Sequence, residues 1–355
     1  MDKADLERMV RDGEPIERMT LDGLDLSGAD LGGIICAESS FRGTDLRGAK
    51  LSEGTFALTD LAGAKLDGVN FKHTTFARCG LARTSLVDAR LIGAQLTECD
   101  LAEANLGGAD LSIGSIARGN LTGARLVGAR LDRSVVAEGT LEGTDFSRAM
   151  LSRATFFRAD LSRAKLAGAD LRSTVLTEAS VAGHDFEGAD LTSVLLIDAD
   201  CRGCRFDGAT LVKANFKGAK LDRVSFVGAN AEQALFAEAS LKEASMLKAR
   251  LFQAVFQAAD ATGLDARGAM LAQSIWQKAT CVGARFVGCD LTYADFSYAD
   301  LTLADFREAK MYRARLHRAT QKETTFSASK AAALGDEQLL AEAETFWEKH
   351  NRKRG

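Results

Sequence analysis

The stretch LAEANLGGADLSIGSIARGNLTGARLVGARL, residues 101–131, places Leu or Ile at every fifth position. Its centres are Leu101, Leu106, Leu111, Ile116, Leu121, Leu126 and Leu131. Stepping outward by five in both directions, the same register runs from Ile16 to Leu316 without an insertion or deletion. All 61 of these positions are apolar, so nothing in the register marks a boundary between separate folds. Only Ala231, Ala261 and Ala266 are small, and the first polar residue in the series is Gln321. Two residues before each centre stands a second column of small residues, such as Ala29, Ser39, Thr44, Ala49 and Gly54. The position between the two is often Asp or Asn, as at Asp30, Asp45, Asp110 and Asp190.

A period of five matches neither the helical 3.6 nor the strand 2. A helix would smear these leucines around its surface, so a heptad coil fails. Four five-residue sides closing into a square coil of 20 do fit. Each side then turns one large and one small residue inward and leaves three outward. Stacked coils pair through parallel ladders about 4.8 Å apart. The expected fold is all-β, a right-handed quadrilateral parallel β-helix of about 15 coils with short helical caps. The expected organisation is an N-terminal helical cap at 1–15, the β-helix at 16–328, and a C-terminal helical cap with a basic tail at 329–355.

A step of 20 also sorts the aromatic residues. Phe146, Phe186, Phe206 and Phe226 share one inward column. Phe56, Phe76, Phe216, Phe236, Phe256, Trp276 and Phe296 share another. Gly28, Gly48, Gly68, Gly108 and Gly128 share an outward column, as a tight corner requires. A solenoid end exposes unpaired strand edges and needs a cap. Residues 2–12 read as a helix with Leu6, Met9 and Val10 on one side, ended by Gly13 and Pro15. Leu334, Leu339, Leu340, Phe346 and Trp347 are expected to close the other end. Lys349, His350, Asn351, Arg352, Lys353 and Arg354 form the basic tail.

The Ala-Asp-Leu triplets at 29–31, 109–111, 169–171 and 189–191 resemble the motif of the pentapeptide repeat family. That resemblance implies a quadrilateral β-helix and leaves function open. More loosely, Gly13, Glu14, Pro15, Gly23, Leu24, Asp25, Leu26 and Ser27 resemble the opening of pentapeptide repeat proteins of bacterial type VI secretion clusters.

Composition narrows the function. The 45 basic and 49 acidic side chains nearly cancel to a net charge of −4, which argues against a non-specific nucleic-acid binder. No run of 18 or more apolar residues exists to span a membrane. The opening MDKADLERMVRDG has no apolar signal core, and seven Cys without ligand spacing suit a reducing compartment, so a cytoplasmic location is expected. His73, His184, His317 and His350 form no metal or catalytic pattern. Cys201 and Cys204 make half of a zinc motif and read as buried hydrophobes. No catalytic residue, cofactor site or metal site is expected.

The outward residues are uneven. One side carries Ile35, Val135, Val175, Leu195, Leu235, Val255 and Ile275, with Phe157 and Ile197 beside them. The candidate protein-binding residues are Val135, Phe157, Val175, Leu195, Ile197, Leu235, Val255 and Ile275, an apolar contact face. Phe252, Tyr293 and Tyr312 lie on a neighbouring side. The expected function is a non-enzymatic adaptor rod that binds a protein partner, or a second copy as a homodimer, in a type VI secretion setting. The alternative is a DNA-mimicking binder of DNA gyrase or topoisomerase IV, for which the family's quinolone-resistance branch is the parallel. Interleaved Lys50, Arg90, Arg130, Arg250 and Lys310 weaken charge mimicry.

Overall fold

The computed structural model describes residues 2–351, with side chains through residue 347. Arg352, Lys353 and Arg354 of the basic tail lie outside the described residues. The chain divides into two compact units, Met1–Ser180 and Val181–Gly355.

Each unit is a right-handed quadrilateral parallel β-helix whose ladders join residues 20 apart. In the first, Ile16 pairs with Cys36, Cys36 with Phe56, and Phe56 with Phe76. In the second, isolated bridges repeat the step from Leu235 to Val255 to Ile275.

One side shows where the backbone hydrogen bonds go. In Leu101–Asn105, the N–H of Leu101 donates to the Asn120 carbonyl at 2.7 Å and that of Glu103 to Thr122 at 2.9 Å, both on the next coil. Asn105 donates to Thr84 on the previous coil at 2.9 Å. Ala104 closes the corner onto Leu101 at 3.0 Å. Only the N–H of Ala102 finds no backbone acceptor, and the Asp100 carboxylate takes it at 3.1 Å. An Asp or Asn just before the centre therefore completes the account of a side that has no helical bonds to draw on. The same bond recurs at Asp110, Asn120, Asp170 and Asp190.

At Ser85 and Ser225, which hold that position, a carboxylate one coil earlier substitutes. Asp67 takes the N–H of Val87 and the Ser85 hydroxyl, and Asp207 does the same for Val227 and Ser225. Two residues after each centre the backbone turns left-handed, at Gly108 (φ 67°) and equally at Arg83 (φ 57°) and Tyr293 (φ 59°). Glycine removes the strain of that corner, while the interlocked ladder holds other residues in it.

The first unit has one side of another kind. Its strands Ile35–Ala37, Thr55–Ala57, Thr75–Ala77, Gln95–Thr97, Ser115–Ala117, Val135–Ala137 and Thr155–Phe157, preceded by Ile16–Glu17, form a parallel sheet. Behind it Ser39, Thr59, Cys79 and Cys99 point inward and donate to the carbonyl two residues back.

The interior is a stack of columns. In the second unit Phe216, Phe236, Phe256, Trp276 and Phe296 lie face to face, with ring centroids 5.0, 4.9, 3.9 and 5.6 Å apart. Phe206 and Phe226 form a parallel stack that meets the first column edge-on. Each buried Leu or Phe contributes roughly 1.5–3 kcal/mol. Small inward hydroxyls donate either to the carbonyl 23 residues earlier, as Thr44 does to Leu21 at 2.8 Å, or three residues back, as Thr84 does to Leu81 at 2.7 Å. Trp276 introduces an N–H into an apolar column, and Ser274 at the adjacent small position accepts it at 2.9 Å.

Helix α1 (Lys3–Arg11) is capped by Asp2 and Asp5 in reciprocal bonds and buries Leu6 completely. Lys3 Nζ donates to the Ser27 carbonyl and Glu7 accepts the Asp30 N–H, tying the helix to the first coil. The second unit ends differently from the sequence-based expectation. Leu334, Leu339, Leu340, Phe346 and Trp347 do not close the core; they are 42, 84, 44, 64 and 67% exposed. Main chain covers the edge instead. Ala332 and Leu334 accept the N–H of Arg313 and Leu316, and Leu334 donates to Ala314. Helix α2 (Gln338–Asn351) follows.

Two outcomes are expected. Ser274→Ala strands the indole N–H and should cost about 1–3 kcal/mol in denaturant unfolding. Adding Trp276→Phe, which suits a phenylalanine column, should recover most of the Ser274→Ala loss; wild-type stability of Ser274→Ala would refute this role for the serine. The second concerns acid. Hydrogen bonds from Arg47, Arg172 and Arg202 hold the carboxyls of Asp45, Asp170 and Asp200 below the usual range, against a smaller effect of burial. Folded values lower than unfolded ones stabilise the fold above the unfolded value near about 4, and that stability is lost as pH falls through the folded values. The thermal midpoint should be flat from pH 7 to about 5 and fall below about 4. Asn at all three positions, which still caps the N–H, should shallow the acid limb; an unchanged limb contradicts the assignment.

Candidate protein-binding face

The position before a centre is often a capping Asp or Asn, or a Ser served from the previous coil; elsewhere it carries Lys, Arg, Thr or Met, as at Lys50, Arg90, Thr210 and Met270. In the column through Leu195, Asn215, Leu235, Val255 and Ile275, joined in register by parallel bridges, the residue is aliphatic in four coils of five. At Leu235 and Val255 an apolar side chain replaces the cap. Among the described residues, the N–H groups of Ala237 and Gln257, two residues further on, have no hydrogen-bond partner. Leu235 is 39% and Ile275 36% exposed; Val255 and Leu195 are half-buried. Their buried neighbours Leu196 and Phe236 confirm that the side chains alternate out and in.

Beside this ridge runs an amide ladder. Gln233 Nε2 donates to Gln253 Oε1, and Gln253 Nε2 to Gln273 Oε1, each at 2.9 Å. Phe252, 37% exposed, flanks the ladder. The ridge and ladder carry no charged side chain from residue 233 to 275 along these columns. Elsewhere the surface is laced with ion pairs between coils: Arg83–Glu103 at 3.1 Å, Arg158–Glu178 at 2.8 Å and Arg223–Glu243 at 2.8 Å. These pairs join residues 20 apart at the left-handed corners.

The eight candidate residues do not form one uninterrupted stripe. In the second unit Asn215 separates Leu195 from Leu235, and Ile197 lies half-buried next to Leu195. In the first unit the corresponding positions, at a sequence step of 20, are Ile35, Thr55, Thr75, Gln95, Ser115, Val135, Thr155 and Val175, so Val135 and Val175 are separated by Thr155. Val135 is 41% exposed, and Val175 and Phe157 are half-buried. The Arg158 guanidinium lies over the Phe157 ring, 4.7 Å from its centroid. Tyr293 and Tyr312 meet edge-on at 5.7 Å, near the ridge's polar end at Asp295 and Arg315.

The groups that sequence reading weighed for chemistry sit in the core or in local bonds. Cys201 is fully buried, and Cys204 Sγ donates to the Val181 carbonyl at 3.0 Å. Burial pushes the Cys204 and Cys289 thiols up to about 12, which keeps them protonated. All seven cysteines are free thiols, Cys79 and Cys99 included. His184 is half-buried with its ring 5.6 Å from that of Phe186. The outward Asp residues are occupied by backbone N–H groups and Arg side chains, as Asp200 is by Arg202. No helix among the described residues is long and apolar enough to cross a membrane.

Sequence reading missed the open N–H donors and the amide ladder. Both were signalled: the first by an apolar residue at a position where Asp or Asn can cap the chain, the second by Gln recurring at a step of 20.

Matches to the family model described as pentapeptide repeats overlap along residues 21–112, 120–257 and 284–320. No curated protein matches the chain. Among solved structures, a trypsin-treated variant of QnrB1, a plasmid-mediated fluoroquinolone resistance protein, is 23% identical over 51% of this chain and 81% of its own, with a TM-score of 0.39. HetL, a pentapeptide repeat protein involved in heterocyst differentiation regulation from the cyanobacterium Nostoc, is 27% identical over 79% of this chain and 96% of its own, with a TM-score of 0.17. With the repeat matched over well over half of its length, the chain belongs to the pentapeptide repeat family.

Proposed function

We propose that the chain is a non-enzymatic scaffold that binds a protein partner through the uncharged face of its second unit. The observation that carries this reading is the recurrence of exposed or half-buried aliphatic residues at Leu195, Leu235, Val255 and Ile275 beside an uncharged amide ladder. The aliphatic side chains leave the N–H groups of Ala237 and Gln257 without a protein acceptor beside the ridge. Such a surface suits a partner that brings apolar side chains and free carbonyl acceptors, with the polar amide ladder forming part of the rim. Leu195 and Ile197 extend the face, and Val135, Phe157 and Val175 give the first unit a sparser apolar counterpart. Self-association through the same ridge would make a homodimer.

The resemblance of Gly13–Ser27 to type VI secretion proteins supports a partner in that apparatus. A DNA-mimicking role toward gyrase or topoisomerase IV needs a row of acids with unneutralised charge. Here Glu103, Glu178 and Glu243 are paired with Arg83, Arg158 and Arg223, which favours the scaffold.

Leu235→Lys with Ile275→Lys puts two charges on the face without entering the core. The thermal midpoint should stay within a few degrees of wild type. In affinity capture from lysate, read by mass spectrometry, the partner held by wild type should be lost from the variant. Secretion components lost in this way support the adaptor setting. Topoisomerase subunits captured instead favour the mimic. A partner set that the two lysines leave unchanged contradicts the proposed face.

A further inference from the structure

Beyond Ile275 the uncharged columns run into a cleft. Asp295 and Arg315 continue the column of Leu235, Val255 and Ile275, joined to it by parallel bridges. Tyr293 and Arg313 continue the column of Gln233, Gln253 and Gln273, one step of 20 at a time. With Leu334, which pairs with Arg315, these four residues line a cleft of about 260 Å³. The Arg313 guanidinium lies over the Tyr293 ring, 6.0 Å from its centroid, and Tyr312 meets that ring edge-on at 5.7 Å.

The charges in this cleft are not balanced. Asp295 brings its carboxylate, and both oxygens are taken: Oδ1 by the Ser297 N–H at 2.9 Å and the Ser297 hydroxyl at 2.6 Å, Oδ2 by Gln277 Nε2 at 2.8 Å. Burial acts against ionisation, but the bonds from Ser297 and Gln277 outweigh it and hold the carboxyl below the usual range. Among the described residues, neither the Arg313 nor the Arg315 guanidinium makes an ion pair or a side-chain hydrogen bond. Arg83, Arg158 and Arg223, at corners like that of Arg313, each have a Glu one coil on. Two guanidiniums facing one carboxylate leave one positive charge over.

We propose that the cleft is a subsite for a single carboxylate on the peptide segment that the uncharged face binds, an inference that rests on that reading of the face. Paired guanidiniums suit an oxyanion. A surplus of one charge suits a carboxylate better than a phosphate ester, which carries about −1.5 to −2. Reach fixes where the acid sits in the ligand. Leu235 to Arg315 is four coil steps, about 19 Å at the ladder spacing, which an extended chain covers in about six residues. The ligand is therefore an extended segment whose apolar side chains lie on the ridge and whose acid follows the first of them by about six residues. An acidic side chain and a C-terminal carboxylate supply the same group.

The test titrates the full chain against dye-labelled peptides of about seven residues that alternate leucine and serine, read by fluorescence anisotropy. Four endings are compared: glutamate amide, glutamine amide, phosphoserine amide, and glutamine with a free C-terminal carboxylate. Both carboxylate peptides should bind roughly tenfold tighter than the glutamine amide at low salt, and the gap should narrow at high salt. The tighter of the two names the source of the carboxylate. Arg313→Gln with Arg315→Gln should close the gap with an unchanged circular dichroism spectrum, since both side chains are exposed. Leu235→Ser with Ile275→Ser should weaken all four peptides together. Equal binding of the glutamate and glutamine amides would overturn the subsite and leave the face standing. So would a carboxylate preference that survives the two glutamines, or tightest binding of the phosphoserine peptide. A preference that the two serines leave intact, with undiminished affinity, counts against the face and keeps the subsite. Absence of binding by all four peptides would overturn both.

Discussion

Everything in this chain depends on a coil of 20 residues that must pair its backbone with the coils on either side. Within a coil no helical bonds satisfy the amides. Four of the five N–H groups on the side that begins at Leu101 go to neighbouring coils or to its own corner, and Asp100 takes the fifth. The Ala-Asp-Leu motif is thus one physical unit. Ala fills the narrow inward site, Leu fills the wide one, and Asp closes the hydrogen-bond account between them. Because the ladder holds the corner, residues such as Arg83 sit left-handed where glycine is the easier choice.

This accounting also explains how a repetitive surface acquires individuality. Each outward column is seen once per coil, so a single kind of residue becomes a line. Arg and Glu at the corners make chains of ion pairs; exposed pairs of this kind add little stability each, but they leave few charges uncompensated. Gln233, Gln253 and Gln273 make an amide line. Leu235, Val255 and Ile275 make an apolar one. A face that departs from the motif at the same position in coil after coil is a natural place for a partner.

The inward columns were legible residue by residue, from the Phe216 stack through Trp276 to the buried Cys201. They obey one step of 20, and burial tolerates no exception to it. The carboxylates of Asp67 and Asp207 were not legible, because they act across 18 to 20 residues on positions where the motif is missing. Nor was the mounting of α2. Once the period ends, orientation rests on a few bonds from Arg318 and Tyr298, and hydrophobicity alone points to the opposite result. For the candidate face, the column was readable from the sequence. Its open N–H donors and the interruption at Asn215 acquire meaning only once the register is seen.

The 20-residue coil is tested most directly by deletion within one unit. Removing residues 221–240 takes out one full coil and returns Phe216, Phe256 and Trp276 to adjacent levels of one column. Removing residues 221–238 leaves every later residue two positions out of register. Thermal unfolding followed by circular dichroism should show the first protein melting cooperatively near wild type, and the second losing its cooperative transition. Similar melting of the two proteins would contradict a fold governed by a coil of 20.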